Sequence, residues 1–230
     1  MSVSSSARRW GLLAAVTAVL TTVLLGGPTV PAHAATTVAT WNMGDSGSTM
    51  SDATGRGHTG TLHGVAVRQP GVSGSAFGFA QRPAYVTVPA SPDFAPGTGA
   101  FRVTLWVRMS AVPSAAVADY DLIRMGLSTT SGGDWKVEVL RNGQAFCEFR
   151  GSAGVVSLAA GPAIADNRWH AVSCARSSAG VSLTVDGGSW SRAGSTGAIT
   201  SQATLYVGAK DGSGADQYSG LMDSVSISRG

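Results

Sequence analysis

An apolar/polar alternation with a period of two recurs along this chain and constrains its fold more than any other feature. Tyr85 to Val88, Phe101 to Val107, Val181 to Val185 and Ala203 to Val207 each carry apolar side chains at every second position over a strand-length stretch. Successive side chains of a strand point to opposite faces, so this spacing predicts half-buried strands with one wet side. No capped stretch of a dozen residues past position 34 carries a helical period, and no strand-helix-strand pattern occurs. The expected fold is all-β, an antiparallel two-sheet β-sandwich.

The first 34 residues read as an export signal, ahead of one domain at 35–230. Arg8 and Arg9 form a basic start, Gly11 to Gly27 is apolar but short for a bilayer, and Ala32-His33-Ala34 is a small-x-small cleavage site. Cleavage removes two arginines and no acid, which lowers the formal charge from +3 to +1. Without a Lys/Arg run or a basic stripe, a nucleic-acid surface is not expected. No second apolar segment of membrane length follows, so the mature chain is expected to be soluble and exported, a secreted, extracellular protein; it is also expected to be a monomer. Its two cysteines, Cys147 and Cys174, stand 27 residues apart. In an oxidising compartment that count favours one disulfide, worth about 3.5 kcal/mol by loop entropy.

One hairpin has a register that can be read. Trp135 to Leu140 and Ala145 to Arg150 flank Arg141-Asn142-Gly143-Gln144, and Asn-Gly is a strong signal for a two-residue turn. Arg141 then pairs with Gln144, Glu138 with Cys147 and Val137 with Glu148. This register sends Glu138 and Glu148, the only glutamates in the chain, to opposite faces. Paired carboxylates for glycoside hydrolysis are then not available from these two.

The terminal stretch poses a different question. Alternation over Leu221 to Ser228 puts Asp223 in one row with Leu221, Val225 and Ile227, an apolar row where an uncompensated charge is costly. Asp119-Tyr120-Asp121 and Asp211 to Asp216 lie in loop-like sequence, where solvated charge is the default. His58 and His63 lack a zinc spacing and read as hydrogen-bonded loop histidines.

Several motifs fall into a recognisable order. Asp52-Ala53-Thr54-Gly55-Arg56-Gly57-His58 comes first, then Tyr85 to Pro89, Phe101 to Val107, Arg168-Trp169-His170-Ala171-Val172, and finally Gly220-Leu221-Met222-Asp223-Ser224-Val225. The series resembles the laminin G-like domains of the concanavalin A-like lectin/glucanase superfamily, in their exported bacterial form. The resemblance implies a jelly roll and pairs Cys147 with Cys174. It also implies a structural calcium ion between the N-terminal loop and the last strand. Asp52 and Asp223 match the carboxylate ligands, with backbone carbonyls of Gly55, Gly57 and His58 as further donors; a Gly-rich loop can turn carbonyls toward one point. Arg56 stands where the family commonly has Asn. Asp52 has a second reading, as acceptor for the backbone of its own turn.

The function expected from these features is a non-catalytic binding module for an extracellular polysaccharide or cell-surface glycan. Trp135, Trp190 and Tyr218 are the candidate stacking platforms, and core packing is the competing role for each. A glycoside hydrolase or lyase of the same superfamily, and a protein-interaction or adhesion domain, are the alternatives. The superfamily's E-x-D-x-x-E constellation and a G-x-S-x-G elbow are both missing from the sequence.

Overall fold

Sixteen strands and one 3-10 turn are found among the described residues, which are 1–2 and 35–230 of a computed structural model. Apart from residues 1 and 2, the expected export signal lies outside the described residues. The strands are β1 Thr36–Trp41, β2 Thr49–Met50, β3 Gly60–His63, β4 Ala66–Pro70, β5 Ser75–Gly78, β6 Tyr85–Val88, β7 Phe101–Arg108 and β8 Asp119–Met125. They continue with β9 Asp134–Leu140, β10 Gln144–Gly151, β11 Gly154–Ala163, β12 Trp169–Ser177, β13 Gly180–Val185, β14 Gly188–Ala193, β15 Leu205–Val207 and β16 Leu221–Arg229. The first sheet runs β14-β13-β12-β7-β16-β5-β4, with β1 also paired to β16; the second runs β11-β10-β9-β8-β15-β6-β3-β2. Both are antiparallel throughout, so the expected two-sheet sandwich is the fold.

Alternation explains how the two sheets meet. In β7, Phe101, Val103, Leu105 and Val107 are buried while Arg102, Thr104, Trp106 and Arg108 face out. The inner rows of the two sheets make one apolar core, with Trp41, Phe77, Phe79, Trp135 and Phe149 among its largest members. Cys147 of β10 and Cys174 of β12 form a disulfide with Cα atoms 5.6 Å apart, joining the second sheet to the first. The outer face of the first sheet is a row of hydroxyls in register: Thr40, Ser226, Thr104, Ser173, Thr184 and Ser189.

Two strand registers differ from the sequence reading by one residue, and each slip reverses the faces. In the β9-β10 hairpin, Val139 pairs with Ala145 and Glu138 with Phe146. A two-residue turn would need left-handed backbone at both Asn142 and Gly143. Only Gly143 adopts it, at φ 81°, and the Gly143 N–H donates to Leu140 O at 2.8 Å. The loop is therefore Arg141 to Gly143, and Glu138 and Glu148 share the outer face of the second sheet rather than opposing it.

In β16 a bulge intervenes between Asp223 and Ser226, with Ser224 at φ 51°. Met222, Val225 and Ile227 face the core, whereas Asp223 turns outward beside Leu221. Asp223 is nonetheless fully buried, because the Gly71–Gly74 turn folds over it. Val72 N–H donates to its Oδ2 at 2.8 Å, Ser73 N–H at 3.2 Å, and Ser224 Oγ–H to Oδ1 at 3.0 Å. The charge that looked misplaced in an apolar row holds a hairpin turn by hydrogen bonds.

Candidate functional site

The shared face of Glu138 and Glu148 belongs to a charged cleft of about 490 Å³ over β8, β9 and β10. Strand registers build it in rows. Asp121, Glu138 and Phe146 stand side by side in one row, and Arg124, Lys136 and Glu148 in the next. Asp134 pairs with Arg150 further along. A bulge between Asp121 and Ile123 sends both Leu122 and Ile123 inward. That extra residue returns Arg124 to the face of Asp121, three positions earlier, where its Nη1 donates to both Asp121 oxygens at 3.1 Å. The loop after β15 closes one end: Asp216 O accepts from Asp121 N–H at 2.9 Å, and Lys210 Nζ donates to Asp216 Oδ2 at 3.1 Å.

Ion pairs fix most of the lining. Lys136 Nζ lies 2.7 Å from Glu138 Oε1 and 5.3 Å from the centre of the Phe146 ring. Arg150 reaches Glu148 through Nη2 and Asp134 through Nε, each at 3.1 Å. Burial pushes the Glu138 carboxyl up to about 8, the Asp121 charge adds to the rise, and Lys136 opposes it. Burial likewise takes Asp121 to about 6 against the pull of Arg124. Asp119 is raised by burial and then by the charge of Asp216. Burial works against the Lys136 ammonium, but the charge and hydrogen bond of Glu138 together with the charges of Glu148 and Asp121 outweigh it, so Lys136 rises as well.

One end of the cleft can hold a cation. Asp119, Asp121 and Asp216 each offer a carboxylate oxygen, all within 4.8 Å of one another. Asp119 Oδ1 is buried and receives no hydrogen bond.

The residues expected to hold calcium are placed differently. Asp52 accepts from the N–H groups of Thr40, Thr54 and His58 at 3.2, 2.9 and 3.1 Å and from the Thr54 hydroxyl. Burial raises its carboxyl, but these hydrogen bonds outweigh burial and leave it below the ordinary value. The His58 carbonyl accepts from Trp41 Nε1 at 2.7 Å. Gly55 and Gly57 supply left-handed backbone at φ 75° and 86°, which lets the loop turn its N–H groups onto Asp52. Asp52 and Asp223 share no hydrogen-bond partner, and each is surrounded by donors, where a calcium ion wants oxygens. The residues of this loop and strand do not fit a calcium clamp. Arg56 points its guanidinium to Asp93, 3.4 Å away, and His58 Nε2 lies 3.0 Å from the same oxygen. His63 Nε2 meets the Thr87 hydroxyl at 3.1 Å, so both histidines are hydrogen-bonded.

Two of the three expected stacking platforms are inside the protein. Trp135 has no exposed surface and donates through Nε1 to Phe94 O at 2.8 Å. Tyr218 is also fully buried, its hydroxyl 2.9 Å from Arg108 O and 2.8 Å from Leu221 O. Neither ring offers a face to a ligand, so core packing is the role of both. Trp190, on the edge strand β14, is 37% exposed and lies against Gly161 and Gly188. The cleft residues themselves escape a sequence reading that treats Asp119–Asp121 and Asp216 as solvated loop charges. One signal was available: both lysines and both glutamates of the chain line this one cleft.

Comparison with known proteins agrees with this architecture. The sequence matches the laminin G-like profile of the concanavalin A-like lectin/glucanases superfamily over residues 81–230, more than half of the chain. No curated protein matches the chain in sequence. Among solved structures, it is similar to the binding domain of Paraclostridial Mosquitocidal Protein 1 (TM-score 0.64, 14% identity, 83% of this chain and 48% of that one), so it spans about half the length of that domain. It is similar to domain 4 of AbnA, an extracellular GH43 arabinanase from Geobacillus stearothermophilus solved with arabinotriose (TM-score 0.62, 15% identity, 85% of this chain and 93% of that one). It is also similar to Trypanosoma rangeli sialidase in complex with sialic acid (TM-score 0.58, 16% identity, 83% of this chain and 30% of that one). At these identities the likeness concerns the fold, and it agrees with the sequence profile: the chain belongs to the concanavalin A-like lectin/glucanase superfamily, as a laminin G-like member.

Proposed function

We propose that this chain is a secreted, monomeric, non-catalytic carbohydrate-binding module whose ligand lies in the charged cleft over β8, β9 and β10. The observation that carries the reading is the cleft itself, about 490 Å³ of polar lining held by interlocking ion pairs. That volume lies in the usual range for ligand sites, roughly 300–1,000 Å³. Carboxylates and guanidinium groups in fixed positions offer acceptors and donors to sugar hydroxyls without further ordering on binding. The complex of the arabinanase domain with arabinotriose supports the ligand class by analogy of fold. Export is supported by the basic, apolar and small-x-small order of residues 1–34 together with the disulfide. In this reading the positive charge that the family resemblance places beside Asp52 and Asp223 belongs instead at the Asp119, Asp121 and Asp216 end of the cleft.

A pull-down with insoluble polysaccharides and a glycan array test the proposal. Wild-type protein is expected to bind, and Glu148→Ala and Arg150→Ala to bind more weakly. Retention of no carbohydrate, with capture of a protein partner from culture supernatant, would favour the adhesion alternative instead.

A hydrolase is the second reading, favoured by the placement of Glu138 and Glu148 on one face. As diagonal neighbours the two residues stand roughly 7–8 Å apart, which lets their side chains reach the carboxyl separation of an inverting pair. The Lys136 ammonium at 2.7 Å from Glu138 argues against it, because a general acid must be free to meet the glycosidic oxygen.

A further inference from the structure

The cleft holds more carboxyl oxygens than its own donors reach. With Asp121 beneath its floor, six carboxyls share it with four cationic side chains. The shortfall appears at two separate places. At the loop end, Asp119 Oδ1 is buried beside Asp121 and Asp216 and no donor reaches it. Four residues along β9 from Glu138, roughly 13 Å away, lies Asp134, whose side chain is 1% exposed and lines the same cleft. Arg150 Nε stands 3.1 Å from Asp134 Oδ2 without hydrogen-bond geometry, and Oδ1 has no donor at all. Buried acceptors in folded proteins are almost always met by a donor, so the cleft lacks a complement that is positive at one end and rich in donors along its length.

Resting on the glycan reading above, we propose that the cleft selects amino sugars, glycans whose units carry a free ammonium group. The ammonium sits at the Asp119, Asp121 and Asp216 end on Asp119 and Asp216, since Asp121 is fully buried and bound by Arg124, and hydroxyls of the neighbouring units donate toward Asp134. The chain already uses this chemistry internally, with Lys210 Nζ on Asp216 at 3.1 Å and Lys136 Nζ on Glu138 at 2.7 Å. A lysine side chain from another protein would bring the same ammonium on a four-carbon stem that needs apolar walls. The walls here are charged, with the hydroxyl residues Ser128 and Thr129 at the rim, and suit a ring bearing hydroxyls. A divalent cation would satisfy the loop end through the same three carboxylates and leave Asp134 unmet.

Isothermal titration of the intact protein tests this, using glucosamine oligomers and N-acetylglucosamine oligomers of equal length at about pH 6, where an amine is charged. The glucosamine oligomer is expected to bind at least about tenfold more tightly, the scale of one charge-assisted hydrogen bond. Asp119→Asn should bring the two within about threefold at an unchanged melting temperature. Equal affinity for the two oligomers in wild-type protein overturns the amine inference while leaving the glycan reading standing; binding of neither overturns both. Binding that needs calcium and is abolished by a chelator, or tighter binding of a lysine oligomer, also overturns it.

Discussion

Glu138 and Glu148 lie on one outer face, Glu138 opposite Phe146 and Glu148 opposite Lys136, so that the lysine stands in register between the chain's two glutamates. Its ammonium is bonded to Glu138 and its own charge is strengthened by it. The pair therefore forms part of a network of ion pairs. Reducing-end assays on β-glucans and chitosan are expected to show no release above buffer with wild-type protein. Release that disappears in Glu138→Gln and Glu148→Gln would make the cleft an active site.

The turn held by Asp223 gives a second prediction. Asp223→Ala leaves the Val72 and Ser73 N–H groups without their buried acceptor, at a cost of about 2–3 kcal/mol. A fall in melting temperature of roughly 4–12 °C should follow. Because Asp223 and Asp52 are each surrounded by donors, millimolar calcium should leave that difference unchanged. A calcium-dependent rise in wild-type melting temperature that vanishes in Asp223→Ala would restore the metal clamp.

His170 gives the fold a pH dependence. Its Nδ1 lies 2.6 Å from Asp186 Oδ2 and its Nε2 2.9 Å from Asp166 Oδ1. Burial opposes the imidazolium, and the hydrogen bonds and charges of the two carboxylates outweigh it, so the ring titrates above its ordinary value of 6.5. A raised folded-state value means that the stabilisation is complete below about pH 6.5 and is lost as pH climbs through the folded value. Melting temperature should therefore decline across neutral to mildly alkaline pH. The same series on Asp186→Asn should be flatter over that window; an equally steep decline would place its origin elsewhere.

How far the sequence could be read follows from where its periodicity is unbroken. Tyr85 to Val88 and Phe101 to Val107 alternate without interruption, and the strands found there differ from the expected bounds by at most one residue. The family order of motifs likewise gave the sandwich and the Cys147–Cys174 pair. Faces failed where one residue was added: at Gly143, at Ser224, and between Asp121 and Ile123. Such additions leave the strand visible and reverse what lies beyond it, so Asp223 read as a core residue and Glu138 as the opposite of Glu148. The cleft was hidden for another reason: it joins β8, β9 and β10 to the loop after β15, and only the sheet order brings them together.

The disulfide predicts a sharp loss on reduction. Closing 27 residues between β10 and β12 is worth about 3.5 kcal/mol in the chain-entropy model. Replacing both cysteines with alanine should lower the melting temperature by roughly 7–14 °C while leaving carbohydrate binding at low temperature within about twofold, since neither sulfur reaches the cleft. Loss of binding in a folded double variant would show that the cross-link shapes the cleft.

The placement of the ligand is tested most directly by backbone amide shifts recorded while a glucosamine oligomer is titrated into labelled protein. Saturable shifts are expected at Asp119, Asp134, Lys136, Glu148 and Asp216. Thr104, Ser173 and Thr184 on the opposite outer face should stay still. Shifts confined to that hydroxyl row, or to Trp190 on the edge strand, would contradict the assignment of the cleft as the binding site.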